Sequence, residues 1–144
     1  MQTSTGIVHQ SSIPVVWSDV AELIEEHGQD WLEIVDLKEI YQNCLEDKID
    51  LWIATNSTKL EMVMFCCWER HAKRSYYHVM WLGGKDLKKY LREGLEKIEH
   101  YACLCGANEV RLGGREGWEK LLAPYGYGSR SVELRKDVTI CWRH

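Results

Sequence analysis

The first half of the chain contains two stretches in which apolar residues recur at helical spacing. The first stretch, Val20, Leu23 and Ile24, follows Ser18, whose hydroxyl can cap free amides of a first helical turn. The second stretch follows Asp36, another capping residue, and consists of Leu37, Ile40, Tyr41, Cys44 and Leu45. We therefore expect two helices, the first ending at Gly28 and the second starting at Asp36.

The residues before these helices carry no such period. Positions 1–12 are largely polar and uncharged, and we expect them to form a flexible N-terminal arm. Residues 13–16 are a possible first strand. The chain shows no domain boundary and no internal repeat, so residues 13–144 are expected to form a single domain.

Runs of apolar and β-branched residues follow the two helices. Residues 49–55 and 60–68 are separated by Asn56, Ser57 and Thr58, which supply turn chemistry, so the two runs predict a hairpin. A third run over 76–82 is almost continuously apolar, which is typical of a strand covered on both faces. We expect these three strands to form an antiparallel meander.

After the third run the pattern alternates between strands, glycine pairs and helices. Gly83 and Gly84 precede the longest helical stretch, 85–105, which Gly106 ends as a left-handed cap. Residues 108–112 predict a short strand, 116–123 a short helix, and 131–135 a final strand. A strand–helix–strand unit with so long a crossover requires parallel strands and a right-handed connection. The predicted fold class is α/β (α+β), with a mixed sheet in which a three-strand antiparallel meander precedes a β-α-β-α-β half.

Composition narrows the class of protein. The chain has 144 residues, of which 45% are hydrophobic and 28% charged, so it can bury the core of one compact domain. Its formal net charge of −4 argues against general nucleic-acid binding, which needs a basic face. No apolar run approaches the roughly 20 residues of a membrane span, and the N-terminus lacks the pattern of a signal peptide. We expect a soluble intracellular protein that binds neither nucleic acid nor membrane.

The six cysteines do not have the spacing of a metal site or a redox motif. Cys66 and Cys67 are adjacent in a predicted strand, so their side chains point to opposite faces. Cys103 and Cys105 lie two residues apart near a helix end and do not share a face. Because the chain contains no C-x-x-C, we expect buried, reduced thiols and no metal.

The order of the elements over roughly residues 13–136 resembles that of GNAT-type N-acetyltransferases. Locally, the sequence WEKLLAPYGY at 118–127 resembles the last helix of that family running into its glycine–aromatic turn. Leu82-Gly83-Gly84 before the long helix, and the sequence GREGW at 114–118, resemble small GNAT-like proteins of tailed bacteriophages. Such proteins are usually encoded among head and tail genes. The resemblance implies a GNAT fold and a viral origin.

The loop that binds coenzyme A in GNAT enzymes differs here. Those enzymes carry Val-x-x-x-x-Gln/Arg-x-x-Gly-x-Gly/Ala after the fourth strand, and its amides bind the pyrophosphate at a helix N-terminus. When the pattern is anchored on Val79, Gly84 falls at the Gln/Arg position, Leu87 at the first glycine and Lys89 at the Gly/Ala position. None of the three matches.

Two interpretations of this turn stay open. Gly83, Gly84 and Lys85 could form a shorter cofactor-binding cradle from two amides and one ammonium group. Alternatively, the glycines permit a tight turn from strand to helix.

The resemblance also implies catalytic roles, since acetyl transfer to an amine needs a base for the amine and an acid for the leaving thiolate. Glu69 is the candidate base, and Tyr125 or Tyr127 the candidate acid. His71 and His78 are further possible bases. Non-catalytic interpretations stay open as well. Glu69 would then be an exposed charge at a strand end, Tyr127 the packing aromatic of its turn, and His78 a core histidine.

Two other motifs could bind anions. Arg70, His71, Lys73 and Arg74 form a basic cluster, which is either a solvated hairpin tip or a contact for an acidic partner. The glycine-dense stretch 113–118 is either an anion cradle or an abrupt turn that buries Trp118.

The leading interpretation is a GNAT-fold phage protein with a degenerate coenzyme A loop. Such a protein would be a non-catalytic virion-associated or assembly component in the virion or the host cytoplasm, without a cofactor. Its partners would be other virion or phage proteins or further copies of itself, and its seven tryptophans suit a protein–protein surface. The alternative is an active acetyl-CoA-dependent N-acetyltransferase, so enzymatic activity stays open. A third possibility is a small module that inhibits a host enzyme.

Overall fold

The computed structural model of the protein describes residues 3–113, 118–128 and 136. The chain divides into two compact units, residues 1–113 and 114–144. In chain order, the first unit contains β1 (Thr3–Ile7), a 3-10 helix (Gln10–Ser12), α1 (Ile13–His27), α2 (Gln29–Leu32), α3 (Leu37–Leu45), β2 (Asp50–Asn56), β3 (Lys59–Arg70), β4 (Ser75–Gly84), α4 (Leu87–Leu104) and β5 (Glu109–Leu112). The second unit contains α5 (Trp118–Leu122) and a 3-10 helix (Ala123–Tyr125).

The five strands of the first unit form one mixed sheet in the order β1-β2-β3-β4-β5. Strands β1 to β4 are antiparallel to their neighbours, and β5 is parallel to β4. Helix α4 is the crossover between these two parallel strands. The predicted fold class, an antiparallel meander followed by a parallel strand–helix–strand unit, is therefore confirmed.

The start of the chain differs from the prediction. Residues 3–7 do not belong to a loose arm but form β1, which pairs with β2, in keeping with the β-branched side chains at positions 3, 5 and 7. Residues 13–16 are not a strand but the first turn of α1. Pro14 explains this, because proline fits the first helical turn, where no amide donor is needed. Helix α1 therefore starts before Ser18, the predicted cap.

The later helical signals are confirmed. The Asp36 carboxylate caps α3 by accepting from the Lys38 amide at 2.9 Å, and Gly106 after α4 has a φ of 91°. Ile24 is fully buried on the inner side of α1. Helix periodicity and capping chemistry in the sequence are thus sufficient to locate α3 and α4.

Helices cover both faces of the sheet. On one side, called here the α1–α3 face, Val63 and Phe65 of β3 pack in one cluster with Ile24 of α1 and Ile40 of α3. On the other side, called the α4 face, Gly94 lets α4 approach β3 closely: an added Cβ would lie 2.7 Å from Met62 Cε. Successive residues along a strand therefore pack into two different cores, one on each face of the sheet.

The second unit confirms the predicted short helix, which ends in a 3-10 turn and a left-handed Gly126 with φ of 89°. The predicted strand over 131–135 and the glycine-dense residues 114–117 lie outside the described residues, and one domain over 13–144 stays a prediction. Within the described part of the chain, no helix is both long and apolar enough to cross a membrane.

Gly84→Ala should destabilise the fold, because a Cβ at this position would overlap the Glu61 carbonyl oxygen and lie 2.9 Å from Met62 Cα. Forcing a strand backbone aside in a packed sheet costs about 1–3 kcal/mol or more. Gly6→Ala is the matched control, since nothing lies within 4 Å of its added Cβ, and it should change the free energy of unfolding by less than about 1 kcal/mol. Urea denaturation measures both, and equal losses would contradict the packing argument.

Candidate active site

Strands β4 and β5 are paired over only part of the length of β4. The parallel pairs run from Tyr76 with Glu109 to Val79 with Leu112, whereas β4 continues to Gly84. Among the described residues, the edge of β4 from Met80 to Gly84 therefore has no strand partner. In open α/β sheets, ligands bind in crevices outside the carboxyl ends of such strands. We call this region the opening.

A β-bulge lies where the two strands part. Phe65 pairs with Trp81, and the next residue of β3, Cys66, pairs with Val79, so that Met80 is the extra residue. A bulge bends its strand and locally increases the twist. The bulge therefore coincides with the start of the opening.

Hydrogen bonding to β3 shows which groups of β4 point into the opening. The Lys85 amide donates to the Glu61 carbonyl at 3.0 Å, so Met62 and Gly84 form a non-hydrogen-bonded pair. The amide and carbonyl of Gly84 then point away from β3, and by alternation those of Leu82 do so too. These backbone groups face the opening.

Both glycines of the predicted cradle have packing reasons to be glycine. A side chain at Gly84 would overlap β3, and one at Gly83 would meet the indole ring of Trp81. The amide of Lys85 is bonded within the sheet to Glu61. These contacts account for a tight strand-to-helix turn, while cofactor binding by Gly83, Gly84 and Lys85 stays a prediction.

The N-terminus of α4 adjoins the open edge. Its first turn carries the exposed side chains of Lys88 and Lys89, and Lys85 precedes it. Asp86 occupies the capping position without making a side-chain capping bond. The positive end of the helix and the ammonium groups of Lys88 and Lys89 thus lie at this edge, an arrangement that favours an anion. Lys85 instead lines a groove with the acidic residues Asp19, Glu22 and Glu26 of α1.

An aromatic stack holds the junction of α1 and α2 against β4. Trp31 of α2 stacks on Trp81 with ring centroids 5.4 Å apart and planes 10° apart, and its ring lies 5.5 Å from that of Phe65. Gly28 leaves room for the indole of Trp81, which an added Cβ would approach to 2.9 Å. The junction is therefore fixed on the α1–α3 face, next to the bulge.

Glu69, the predicted base, lies at the exposed end of β3. It pairs with Tyr76, eight residues before Gly84 and thus roughly 26 Å away along β4. Its carboxylate is half exposed and lies 3.7 Å from Nε2 of His71. The structure therefore brings Glu69 and His71 together at the β3–β4 turn, far from the glycine turn.

His78 lies closer to the opening than Glu69. It is half-buried and sits between Cys67 of β3 and Arg111 of β5, one register position before the last parallel pair. Because Cys67 is two residues from Phe65, His78 points to the α1–α3 face. Of the predicted bases, His78 is nearest to the point where the strands part.

The two predicted acids lie in the second unit. Tyr125 ends the 3-10 helix and is half-buried. Tyr127 follows the left-handed Gly126, and its amide donates to the Leu122 carbonyl at 3.4 Å. The glycine–aromatic turn implied by the family resemblance is present, and the catalytic roles of both tyrosines stay predictions.

A buried polar network on the α4 face escaped the sequence analysis. Trp52 Nε1 donates to the Tyr77 hydroxyl at 2.9 Å, and this hydroxyl donates to the Asp50 carboxylate at 2.6 Å. Tyr77 is fully buried and packs against the rings of Trp68 and Tyr101 at 4.7 and 5.5 Å. The network joins β2 to β4 across β3. The one sign of this network in the sequence is Asp50, an acidic residue within an apolar strand.

Burial raises the pKa values of several groups in and beside this network. It raises the pKa of the Asp50 carboxyl, against the opposing effect of the Tyr77 hydrogen bond, and it raises the pKa of the Tyr77 hydroxyl. Burial and the charge of Asp50 raise the pKa of the Cys44 thiol to about 12. The cysteines in the described part are free, and no group of three metal-binding side chains occurs there.

Neither a protein-family model nor a curated protein sequence matches the chain. Solved structures do. An aminoglycoside acetyltransferase from an uncultured soil metagenomic sample, in complex with sisomicin, has a TM-score of 0.72 at 9% identity and covers 94% of this chain and 95% of its own. A predicted acetyltransferase with acetyl-CoA from Clostridium acetobutylicum has a TM-score of 0.69 at 10% identity, and the match covers 99% of this chain and 100% of that chain. A GNAT family acetyltransferase from Staphylococcus aureus has a TM-score of 0.66 at 15% identity, and the match covers 95% of this chain and 99% of that chain.

The protein therefore has the GNAT acetyltransferase fold. This confirms the fold that the resemblance implied, and identities this low show the fold alone. The relation to phage proteins stays a prediction.

Asp50→Asn should change how stability depends on pH. Because the folded state raises the pKa of Asp50, the carboxyl contributes most stability below its ordinary pKa and loses that contribution as the pH rises through the raised value. Asparagine can still accept from Tyr77 but does not titrate. The free energy of unfolding of the variant relative to the native protein should therefore increase from about pH 4 towards neutrality.

Urea denaturation across this pH range tests the effect, with the exposed Glu96→Gln as control. A relative stability of Asp50→Asn that is independent of pH would contradict the assignment.

Tyr77→Phe leaves both Trp52 and Asp50 without their partner, and should cost about 1–3 kcal/mol at neutral pH.

Proposed function

We propose that the protein binds an acyl-coenzyme A at the opening and transfers the acyl group to an amine. The observation that carries this proposal is the free edge of β4, which leads from the bulge at Met80 to the N-terminus of α4. The Clostridium acetobutylicum structure, described with acetyl-CoA, is consistent with it.

The residues at the opening fit two parts of coenzyme A. Its pantetheine arm contains amides, which can pair with the outward backbone groups of Leu82 and Gly84 as an added strand would. Its pyrophosphate is an anion suited to the first turn of α4, which carries the exposed ammonium groups of Lys88 and Lys89.

When bound, acyl-coenzyme A supplies a thioester whose carbonyl carbon an amine can attack. The protein must then accept a proton from the amine, and an imidazole can do so near neutral pH. His78 is the better placed candidate because it lies beside the last parallel pair, whereas Glu69 lies two residues further along the sheet. Tyr125 and Tyr127 are the proposed acids for the thiolate.

A second candidate function is favoured by the glycine turn itself. Gly84 is required by contact with β3, the Lys85 amide is engaged, and Leu87 stands where GNAT enzymes have glycine. These features suit a GNAT fold kept as a non-catalytic scaffold. A virion-associated or assembly role, with other phage proteins or further copies as partners, is the form of this alternative that the resemblance suggests.

Isothermal calorimetry should detect acetyl-CoA and free coenzyme A with micromolar dissociation constants, about 8 kcal/mol. Lys88→Glu should weaken binding about tenfold because it reverses a charge at the α4 N-terminus. Lys38→Glu is the matched control, since Lys38 is exposed in the first turn of α3, and it should leave affinity unchanged.

The outcomes separate the two functions. No heat at millimolar ligand would reject the acyltransferase and support the scaffold. Equal weakening by Lys88→Glu and Lys38→Glu would show that the α4 N-terminus does not bind the pyrophosphate.

A further inference from the structure

Within the described residues of the first unit, one part of the α1–α3 face has no helix packed on it. Phe65 and Trp81 on this face pack into the helix-covered core, but the residues that continue the same face towards the β3–β4 turn are half-buried or exposed. Alternation along the strands and the register between them place these residues side by side. We call the set the hairpin-end surface: Cys67, Glu69, Tyr76, His78, Glu109 and Arg111.

Basic side chains rim the hairpin-end surface. Three permanent cations come from the β3–β4 turn and from β5, and they outnumber the two carboxylates of the surface, Glu69 and Glu109, although the chain as a whole carries −4. Positive charge is therefore concentrated at this end of the sheet. The three cations are Lys73, Arg74 and Arg111, whereas the guanidinium of Arg70 lies over the ring of Trp68 on the α4 face.

The two central arginines are held in place before any ligand binds. The guanidinium of Arg111 lies 3.5 Å from the ring centroid of Tyr76, and its Nε donates to Glu109 at 3.2 Å. Arg74 donates to the other oxygen of Glu109, also at 3.2 Å. Each guanidinium has five N–H donors, so donors remain for a carboxylate. Fixing both side chains in advance lowers the entropy lost on binding.

The backbone beneath these side chains is also fixed. The His71 amide donates to the Arg74 carbonyl at 2.8 Å, which closes the turn. Asn108 joins β5 to β4 twice: its side chain accepts from the Ser75 amide at 2.9 Å, and its amide donates to the Ser75 carbonyl at 2.8 Å. The surface is thus preorganised.

The hairpin-end surface begins next to the opening. Arg111 pairs with His78, and the following pair, Val79 with Leu112, is the last before the strands part. Tyr76 lies three residues before Val79, roughly 10 Å along β4. A peptide lying along this surface could place an amine at the opening and acidic side chains against the two arginines.

We propose that the hairpin-end surface binds an acidic peptide segment, and that this segment carries the amine that accepts the acyl group. The role as acceptor rests on the proposed function, whereas the binding does not. A nucleic acid shares the negative charge, but Glu69 and Glu109 lie within the surface and would repel a continuous phosphate chain. Separate carboxylates on a peptide can avoid them.

Fluorescence anisotropy tests the proposal with a labelled peptide in which one lysine is flanked by glutamates, at low and moderate salt. The same peptide with glutamines in place of glutamates is the neutral probe. The acidic peptide should bind at least about tenfold more tightly, and the difference should shrink as salt is added. Lys73→Glu and Arg111→Gln should each weaken its binding several-fold.

Arg92→Glu is the matched control, because it makes the same charge change as Lys73→Glu at an exposed site on α4. It should leave the affinity for the acidic peptide unchanged. Equal binding of the two peptides, equal effects of Lys73→Glu and Arg92→Glu, or tighter binding of a single-stranded oligonucleotide would each overturn the proposal. Lys73→Glu should bind coenzyme A in calorimetry as the native protein does. Loss of peptide binding at the hairpin-end surface is therefore distinguishable from loss of coenzyme A binding at the opening.

Discussion

The structure depends on how β4 is held at its two edges. One edge is paired with β3 along the strand and ends in the contact between Gly84 and the backbone of Glu61. Among the residues that the structure describes, the other edge is paired with β5 for four residues. Pairing with β3 along one edge lets β4 keep, within the described part of the chain, a second edge that is partly without a strand partner. An isolated strand with such an edge would tend to pair with another chain. The opening, the bulge and the α4 N-terminus all follow from this asymmetry.

The aromatic residues fix what surrounds the opening. Trp81 is enclosed by Gly28, Gly83 and the indole of Trp31, so a single side chain of β4 joins the α1–α2 junction to the turn before α4. On the opposite face, the Trp52–Tyr77–Asp50 network ties β2 to β4 at the level of the β4–β5 pairs. Aromatic rings on one face and the buried Trp52–Tyr77–Asp50 network on the other therefore pack against the sheet on both sides of the site.

The sequence predicts those parts of the fold that local chemistry determines. The period of α4, the cap at Asp36 and the left-handed Gly106 are local signals, and a long crossover implies the parallel β4–β5 pair. Strand β1 was not predicted because Ser4 and Gly6 interrupt its β-branched side chains at positions 3, 5 and 7, and its pairing with β2 is visible only in the structure. The Asp50–Tyr77 pair was missed because its members are far apart in sequence. For the glycines at 83 and 84 the sequence leaves open both a cofactor-binding cradle and a tight turn, and only the structure reveals their contacts with Trp81 and β3.

The central claim is that the free edge of β4 is a binding site for an acyl-coenzyme A. Residue-resolved amide hydrogen exchange by NMR, with and without acetyl-CoA, tests it most directly, because the Leu82 and Gly84 amides point into the opening. The account predicts that acetyl-CoA slows exchange at Leu82 and Gly84 and leaves the Val63 amide, already paired with β4, unchanged. Exchange at Leu82 and Gly84 that is the same with millimolar acetyl-CoA as without it would contradict the account.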